Sequence, residues 1–289
     1  MRYFGYGSNL NSLDLDTFCL KRGLIRPRME RVTSGYVPDH QLGFNYKSIS
    51  RKGGVLNIKK KIGSVAEGVL FDVHPDMWEI LDAKEGAPNV YRRKKVIVLT
   101  SSGSAEVAWT YVIRDDKYLE FVKPDPAYVE VVKDGLISNH LGVEDLINAS
   151  ENRKLSNRAS GFFVYGTLLS GLRNHGVIAS NGLTCCVPAK CNGMLYDTNA
   201  GYPAMKLAQS NLNFVNGEYI VPSDLEKVIR KVDCLEGFSD FLAKENLYDR
   251  RLIQVEVHDH SELAWIYVYT NPHDHFKHIE SGDWRQYNS

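Results

Sequence analysis

The sequence predicts an α+β fold made of two tandem units, each a closed or nearly closed mixed sheet with a few helices outside it. A length of 289 residues suits two ordinary domains better than one. Segments such as VIVL (96–99) and IQVEV (253–257) have the two-residue period of strands, and only short helical patterns separate such segments. The same series of segments occurs twice, which is typical of a duplicated unit. Strand-rich units of this size bury their apolar faces by closing the sheet.

The first unit begins with MRYFGYGSNL, a strand-like run that breaks at Tyr6-Gly7-Ser8. A helical pattern covers 77–86, and the tail 123–150 predicts one or two helices after a Pro-x-Pro turn. Extended segments are predicted at 53–60, 67–73, 91–100 and 105–113.

The second unit follows the same order, starting from GFFVYGTLLSG (161–171), with a helical pattern over 225–237. Its extended segments are predicted at 191–198, 201–207, 248–257 and 263–270. The motifs that we match between the halves are Gly-x-Leu-aromatic-Asp at 68–72 and 193–197, Glu-Gly at Glu85 and Glu236, Tyr-x-Arg from Tyr91 and Tyr248, and Ala-Trp-x-Tyr-Val at 108–112 and 264–268. A polar linker at 148–161 then separates a first domain, 1–150, from a second, 160–289.

The composition argues against several classes of function. Lys+Arg and Asp+Glu both total 35, so the net charge is +0, which disfavours a nucleic acid or an anionic membrane as partner. No apolar run approaches the ~20 residues of a membrane span, and no apolar stretch follows Arg2 as in a secretory leader. The five cysteines have no paired spacing. We therefore expect a cytoplasmic protein with reduced thiols.

Glu85 and Glu236 are the candidate catalytic groups. Each follows an apolar helical run, so each carboxylate is expected at a helix end beside the sheet. Partial desolvation there raises a carboxyl pKa toward the range useful for proton transfer at neutral pH. A single Glu-Gly is more often a solvated helix end with a glycine cap. Two copies in matching context favour the catalytic interpretation.

The Tyr-Gly-Ser/Thr breaks predict a cup of backbone N–H groups around Gly7 and Gly166, suited to a carboxylate. A dinucleotide site is excluded because no third glycine and no βαβ context follow, and a P-loop is excluded because Gly-Lys-Ser/Thr is missing. The segments HDHSE (258–262) and HDHFKH (273–278) have the composition of metal ligands, but clusters on turn-like sequence are more often surface loops. We expect no metal and no other cofactor.

These motifs carry a family resemblance across almost the whole chain. YFGYGSNL, EGVLFDV, LDAKEG and the Pro-x-Pro-x-Tyr tail of the first half resemble a γ-glutamylcyclotransferase. FFVYGTL, GYPAMKL, VDCLEG, YDRR, WIYVY and SGDW of the second half resemble the γ-glutamylamine cyclotransferase (AIG2-like) branch. The resemblance implies tandem small mixed β-barrels with flanking helices, each with a cavity at one end.

The resemblance also implies a reaction. Such enzymes take a γ-glutamyl amide and release 5-oxoproline and a free amine, because the substrate's own α-amine attacks its γ-carbonyl. Glu85 or Glu236 would serve as base and then acid, while backbone N–H groups hold the glutamyl end and a tyrosine hydroxyl adds a hydrogen bond. The substrate-binding residues implied are Gly5, Tyr6, Gly7, Ser8, Asn9 and Tyr111 in the first half and Tyr165, Gly166, Thr167, Leu168 and Tyr267 in the second.

The sequence does not determine the identity of the leaving amine. The candidates are γ-glutamyl amino acids or amines, glutathione, and a γ-glutamyl-capped natural product such as a butirosin-type aminoglycoside, which would mean antibiotic biosynthesis. The alternative function is a non-catalytic tandem module that binds carboxylates. The closer match of YGSNL and LDAKEG to the family pattern favours the first half as the more active one, and the longer segment 238–247 suggests a different amine pocket in the second half.

We predict that 5-oxoproline is released without added metal or nucleotide, since a carboxylate and backbone amides suffice for an intramolecular attack. The measurement is 5-oxoproline release from a γ-glutamyl amide before and after dialysis against EDTA. Loss of release on dialysis, with recovery on adding zinc, would contradict this.

Overall fold

A computed structural model describes residues 1–208, 213–271 and 275–289. The chain divides into two compact units. The first consists of Met1–Val98 and Glu106–Asn157, and the second of Leu99–Ala105 and Arg158–Ser289. The domain bounds expected from the sequence stay a prediction. No helix in the described part of the chain is long and apolar enough to cross a membrane.

The first unit is a closed five-stranded barrel with helices outside it, as predicted. Its elements are β1 (Arg2–Gly5), α1 (Ser12–Leu20), β2 (Met29–Ser48), β3 (Gly53–Val73), α2 (Met77–Glu85), β4 (Tyr91–Leu99), β5 (Ala105–Ile113), α3 (Pro126–Ser138) and α4 (Glu144–Ser150). The strands follow the order β1-β3-β2-β4-β5, and β5 closes the barrel by pairing in parallel with β1 at Tyr3 and Trp109. Strand β2 does not follow from the sequence patterns above.

The second unit repeats this architecture. Its elements are β6 (Gly161–Val164), α5 (His175–Ala179), β7 (Leu183–Asp197), β8 (Pro203–Leu207), β9 (Phe214–Pro222), α6 (Leu225–Leu235), β10 (Tyr248–Val257), β11 (His260–Tyr269), β12 (Lys277–Ile279) and α7 (Trp284–Tyr287). Five strands follow the order β10-β11-β6-β9-β7, and a pairing of Glu256 on β10 with Lys190 on β7 closes the sheet. Strands β8 and β12 pair with β7 outside this ring.

Helices α2 and α6 attach to their barrels by apolar faces with helical spacing. On α2 the buried residues include Met77, Ile80 and Leu81, and on α6 they include Val228 and Val232. Positions three and four apart lie on one helix face, so each helix buries a single stripe and ends next to the barrel. The two predicted catalytic glutamates occur at these helix ends.

The match between 68–72 and 193–197 that the sequence suggested is wrong. Segment 193–197 lies on β7, whereas the strand that pairs with the first strand of the second barrel is β9. Gly217 on β9 is therefore the counterpart of Gly68 on β3, and in both a Cβ would lie less than 2.5 Å from a carbonyl oxygen of the adjacent first strand. The letters of Gly-x-Leu-aromatic-Asp recur by chance of composition, since pairing defines which strands are equivalent.

We predict that Gly217→Ala lowers the free energy of unfolding of the second unit by about 1–3 kcal/mol, because overpacking forces the backbone apart. A Cβ at Gly217 would lie 2.2 Å from the carbonyl oxygen of Val164. The control is Gly176→Ala on α5, where a Cβ would meet nothing within 4 Å. Denaturant unfolding checks both variants. An unchanged midpoint for Gly217→Ala would contradict the pairing of β9 with β6.

Candidate active site

Each catalytic candidate is placed where its helix ends in a left-handed glycine. Glu85 is the last residue of α2, and Gly86 follows with φ 62° and ψ 35°. Glu236 caps α6, and Gly237 follows with φ 64°. Glycine adopts this conformation without a steric cost, so each helix can end directly after its glutamate. The glutamate side chains are thereby held at one end of each barrel.

A buried tyrosine fixes the end of α2 in the first unit. Tyr111 on β5 donates a hydrogen bond of 2.6 Å from its hydroxyl to Asp82, three residues before Glu85. Arg93 on β4 donates to the same carboxylate from Nε at 2.7 Å. Burial alone would raise the pKa of Asp82, but the hydrogen bonds from Arg93 and Tyr111 lower it below its usual value. Asp82 is thus a charged acceptor that ties the helix to two strands.

The second unit has the same arrangement. Tyr267 on β11 donates to Asp233 at 2.6 Å, and the guanidinium of Arg250 lies 3.1 Å from the same carboxylate. Arg250 is only 1% exposed and lies over the rings of Phe238 and Phe241 from the segment 238–247. That segment is therefore packed against the interior of the unit rather than being an open loop.

The Tyr-Gly turns are held by a second repeated contact. Tyr6 donates to the carbonyl oxygen of Tyr111, and Tyr165 donates to that of Tyr267, each at 2.7 Å. After the glycine, the chain makes a short helical turn, so its first amides point away from any helical acceptor. In the described part of the chain, neither these amides in the first unit (Ser8, Asn9) nor those in the second (Thr167, Leu168) have a backbone acceptor. These are the N–H groups available to an anion.

The first site holds its glutamate in a polar network. Asn9 donates from Nδ2 to Glu85 at 2.7 Å and to the hydroxyl of Tyr3 at 2.9 Å. Lys84 donates to Oδ1 of Asn9 at 2.9 Å, which fixes the orientation of the amide. Burial raises the pKa of Glu85 above its usual value, although Lys84 and the Asn9 hydrogen bond oppose the shift. The carboxylate of Glu85 is therefore removed from water but accepts a hydrogen bond from Asn9.

A carboxylate behind Lys84 neutralises the charge of the first site. Asp14 accepts from Lys84 at 2.7 Å and from both terminal nitrogens of Arg51, at 3.0 and 2.7 Å. Desolvation lowers the pKa of Lys84, whose side chain is 5% exposed. None of Lys84, Asp14 and Arg51 was expected from the sequence, because their side chains converge from α2, α1 and the β2–β3 turn.

The tail of the first unit narrows its cavity. The hydroxyl of Tyr128 on α3 accepts a hydrogen bond from the amide of Leu56 at 3.3 Å, and Tyr91 donates to the carbonyl of Leu56 at 2.7 Å. The remaining cavity beside Glu85 is about 20 Å³. A space of that size holds about one water molecule.

The second site presents a bare carboxylate. Leu168 stands where the first site has Asn9, and Leu235 stands where it has Lys84. Among the described residues, no side chain donates a hydrogen bond to the carboxylate of Glu236. Burial raises the pKa of Glu236 to about 7. At neutral pH this group is near the midpoint of its titration, which suits proton transfer in both directions.

The cavity of the second site is about 160 Å³, which is the scale of interior cavities that accept a benzene-sized ligand. The predicted residues that line it are Tyr165, Gly166, Thr167, Leu168, Glu236 and Tyr267. Lining residues that the sequence interpretation did not include are Arg173, Asn174, Tyr202, Pro203, Leu247 and Tyr248. A Cβ on Gly166 would lie 2.7 Å from the ring of Pro203, so only glycine permits this close approach.

Most predicted residues of the first half also come together. Tyr6, Gly7, Ser8, Asn9, Glu85 and Tyr111 line the first cavity. Gly5 does not; it lies on β1, with Leu10 and Phe71 next to the position of a Cβ. The Asp–Arg pairs behind the tyrosines were missed, although the repeated Asp-x-x-Glu-Gly spacing, added to the Tyr-x-Arg motif, would have found them.

The histidine clusters form no metal centre in the part of the chain that is described. Within residues 1–208, 213–271 and 275–289, no three His, Cys, Asp or Glu side chains are arranged to hold a metal ion. His260 lies 3.2 Å from Glu262, and both side chains are exposed. His273 and Asp274 of the second cluster lie outside the described residues.

Comparison with known proteins identifies the family. A family model described as γ-glutamyl cyclotransferase, AIG2-like, matches residues 3–128 and 162–286. The chain belongs to this family. Its two matched segments correspond to the two barrels, which confirms the resemblance, the tandem fold and the expectation of a cyclotransferase enzyme.

Individual relatives carry related names. γ-L-Glutamyl-butirosin B γ-glutamyl cyclotransferase of Niallia circulans is 34% identical over 125 residues, which cover 43% of this chain and 75% of that protein. A putative γ-glutamylcyclotransferase of Vibrio cholerae serotype O1 is 34% identical over 125 residues, covering 43% of this chain and 94% of that protein. A solved structure titled γ-glutamyl cyclotransferase gives a TM-score of 0.45 at 22% identity, covering 54% of this chain and 89% of that one.

We predict that Glu236→Gln stabilises the second unit increasingly as the pH rises. The folded-state pKa of Glu236, about 7, lies above its ordinary value of 4.5. The protonated carboxyl is therefore favoured in the native state. Its contribution to the free energy of unfolding is fully present below pH 4.5 and is lost as the pH rises through 7. Glutamine mimics the protonated form at every pH, so the gain over the parent should grow by on the order of 3 kcal/mol between pH 5 and 8.

Denaturant unfolding at pH 5 and pH 8 measures this difference. The control is Glu226→Gln, a surface position on the same helix α6, where no such trend is expected. A gain from Glu236→Gln that does not change with pH would show that Glu236 is solvated in solution.

Proposed function

We propose that the chain cyclises γ-glutamyl amides, releasing 5-oxoproline and a free amine, with Glu236 as the principal acid/base group. The observation that carries the proposal is a buried carboxylate of pKa about 7 in a cavity that also contains the amides of Thr167 and Leu168, which have no backbone acceptor among the described residues. Family membership supports the reaction type.

The groups of the second site match the steps of this reaction. Glu236 takes a proton from the substrate's α-ammonium, and the freed amine attacks the γ-carbonyl carbon to close a five-membered ring. The amides of Thr167 and Leu168 stabilise the negative charge that develops on the carbonyl oxygen. The protonated Glu236 then gives its proton to the leaving nitrogen as the C–N bond breaks. The regenerated carboxylate accepts the remaining extra proton of the ring nitrogen, which leaves a neutral lactam, and this proton passes to the released amine. Because the nucleophile belongs to the substrate, most of the rate comes from holding it in the attacking geometry.

Tyr267 and Tyr165 act as supports in this scheme. Tyr165 donates to the backbone of Tyr267, and Tyr267 donates to Asp233, so both hydroxyls are engaged within the protein. Burial and the neighbouring Asp233 raise the pKa of Tyr267 well above its usual value, so the hydroxyl stays protonated and keeps donating. The two side chains thus fix the position of the Tyr165-Gly166 turn relative to the end of α6.

We place the greater activity in the second half, whereas the sequence pattern favoured the first. The second cavity is about 160 Å³ and the first about 20 Å³. The carboxylate of Glu85 is bound to Asn9, and its position depends on Lys84. These features of the first half support a smaller contribution of that half to turnover.

The substrate class that we propose is a γ-glutamyl amide of an amino acid or of a larger amine. A relative named as acting on γ-L-glutamyl-butirosin B supports the inclusion of bulky natural products of the aminoglycoside type. In the second unit, the packed segment 238–247 contributes Leu247 to the cavity wall.

We predict that Glu236→Gln reduces 5-oxoproline release about 10²–10⁴-fold, because it keeps the shape of the side chain and removes the base. Glu85→Gln should cost much less on the same substrate, and the double variant should match or fall below Glu236→Gln. The parent rate should rise with pH through an apparent pKa of about 7, the pKa of Glu236, because only the deprotonated carboxylate can accept the proton.

The assay is 5-oxoproline release from one γ-glutamyl amide between pH 5 and 9, with Glu226→Gln as the control for a surface change on α6. A double variant as fast as the parent would show that neither carboxylate is the base. If Glu85→Gln alone abolished release, the chemistry would belong to the first half.

A further inference from the structure

The second cavity does not end at the catalytic groups. A further hollow of about 300 Å³ adjoins it, and the two share Thr167 and Arg173 in their walls. The hollow is completed by Leu172, Gly201, Trp284, Arg285 and Asn288, so the short C-terminal helix α7 forms one side of it. Both spaces lie within the second unit.

The charges along this path are unbalanced. Arg285 is neutralised by Glu218 at 2.8 Å and also donates to the carbonyl oxygen of Ser170 at 2.7 Å. Arg173 is exposed and forms no ion pair with any described residue. The only carboxylate among the described residues that line the two spaces is Glu236. Arg173 is thus a cation that has no counter-ion in the described part of the chain, and it lies at the junction between the site of reaction and the hollow.

Arg173 lies beside the turn that contains Gly201. Gly201, at the turn before β8, would place a Cβ 3.6 Å from Nη1 of Arg173. The guanidinium therefore packs close to this turn, while Trp284, which is 5% exposed, forms an apolar surface farther along the hollow. An apolar wall beside a free planar cation matches an aliphatic chain that ends in a carboxylate, since guanidinium binds carboxylate with two parallel hydrogen bonds.

We propose that this hollow binds the leaving amine and that Arg173 binds a carboxylate on it, so that the second half prefers γ-glutamyl amides of amino acids to those of polycationic amines. The inference rests on the proposed function and names the substrate class of that same site. A polyamine or an amino sugar would bring positive charge next to Arg173, whereas Glu218, the carboxylate at Arg285, is already paired.

The test uses three γ-glutamyl amides of equal chain length, made from 5-aminopentanoate, pentylamine and 1,5-diaminopentane. They differ only at the far end, which is anionic, neutral or cationic. The full chain carries Glu85→Gln, so that turnover reports the second site. The variants are Arg173→Gln and Arg173→Lys, with Arg230→Gln on α6 as the control for loss of a surface arginine.

We expect kcat/KM of the parent to decrease from the anionic to the neutral to the cationic amide. Arg173→Gln should lower the anionic-to-neutral ratio of kcat/KM about 5- to 50-fold, the range of a charge-assisted bond that stays partly solvated. Arg173→Lys keeps the positive charge but loses the two parallel N–H donors of the guanidinium, so it should give an intermediate ratio. A ratio that Arg173→Gln leaves unchanged, or that Arg230→Gln lowers equally, would overturn the inference while the cyclotransferase proposal stands.

Measuring the binding of the three amides tests the carboxylate subsite independently of turnover. Calorimetry on the Glu85→Gln, Glu236→Gln chain, which keeps the cavity and lacks both bases, should show tighter binding of the anionic than the neutral amide. Adding Arg173→Gln should remove that difference. If no amide releases 5-oxoproline in the parent, the proposed function fails, and this comparison still tests the subsite. Equal binding of all three amides, or no binding, would overturn it.

Discussion

The hydrogen bond from a strand tyrosine to a helix aspartate, Tyr111–Asp82 and Tyr267–Asp233, is the interaction on which both sites depend. The aspartate lies three residues before the glutamate, so the bond fixes the helix turn that carries Glu85 or Glu236. Charge-assisted hydrogen bonds of this kind contribute about 1.5–3 kcal/mol each. The same tyrosine also accepts, through its carbonyl, the bond that holds the Tyr-Gly turn. One residue thus sets the distance between the carboxylate and the amide cup.

On this shared frame the two copies differ in how they treat the buried carboxylate. Asn9 and Lys84 satisfy Glu85, whereas Leu168 and Leu235 leave Glu236 in apolar surroundings. A buried acceptor without a donor is costly, and the cost is relieved by a proton at neutral pH. Two differences of side chain on the same backbone geometry therefore separate an ordered, partnered carboxylate from one that exchanges protons readily.

The fold and the places of Glu85 and Glu236 at helix ends could be predicted because their signals are local. A Tyr-Gly break, a Glu-Gly helix end and an alternating strand each occupy fewer than a dozen consecutive residues. Strands β2 and β9 were missed, and 193–197 was matched to the wrong strand, because strand equivalence depends on pairing between distant segments. Lys84, Asp14 and Arg51 were missed for the same reason, since three separate elements bring them together. Arg173 becomes informative only once its lack of a counter-ion among the described residues is seen in three dimensions.

The contact between Tyr128 and Leu56 determines whether the helical tail of the first barrel could function on the second. In the first barrel the tyrosine accepts a hydrogen bond from a main-chain N–H, and deleting the tail would remove that acceptor. The second barrel has Pro203 at the corresponding place, identified by the matching bond from Tyr248 to its carbonyl. Proline has no N–H, so nothing there needs such a partner. Because of this proline, the cavity of the second barrel can stay open without an added helix. In a chimera with the tail moved to the second barrel, the tyrosine hydroxyl would have no backbone N–H to accept from.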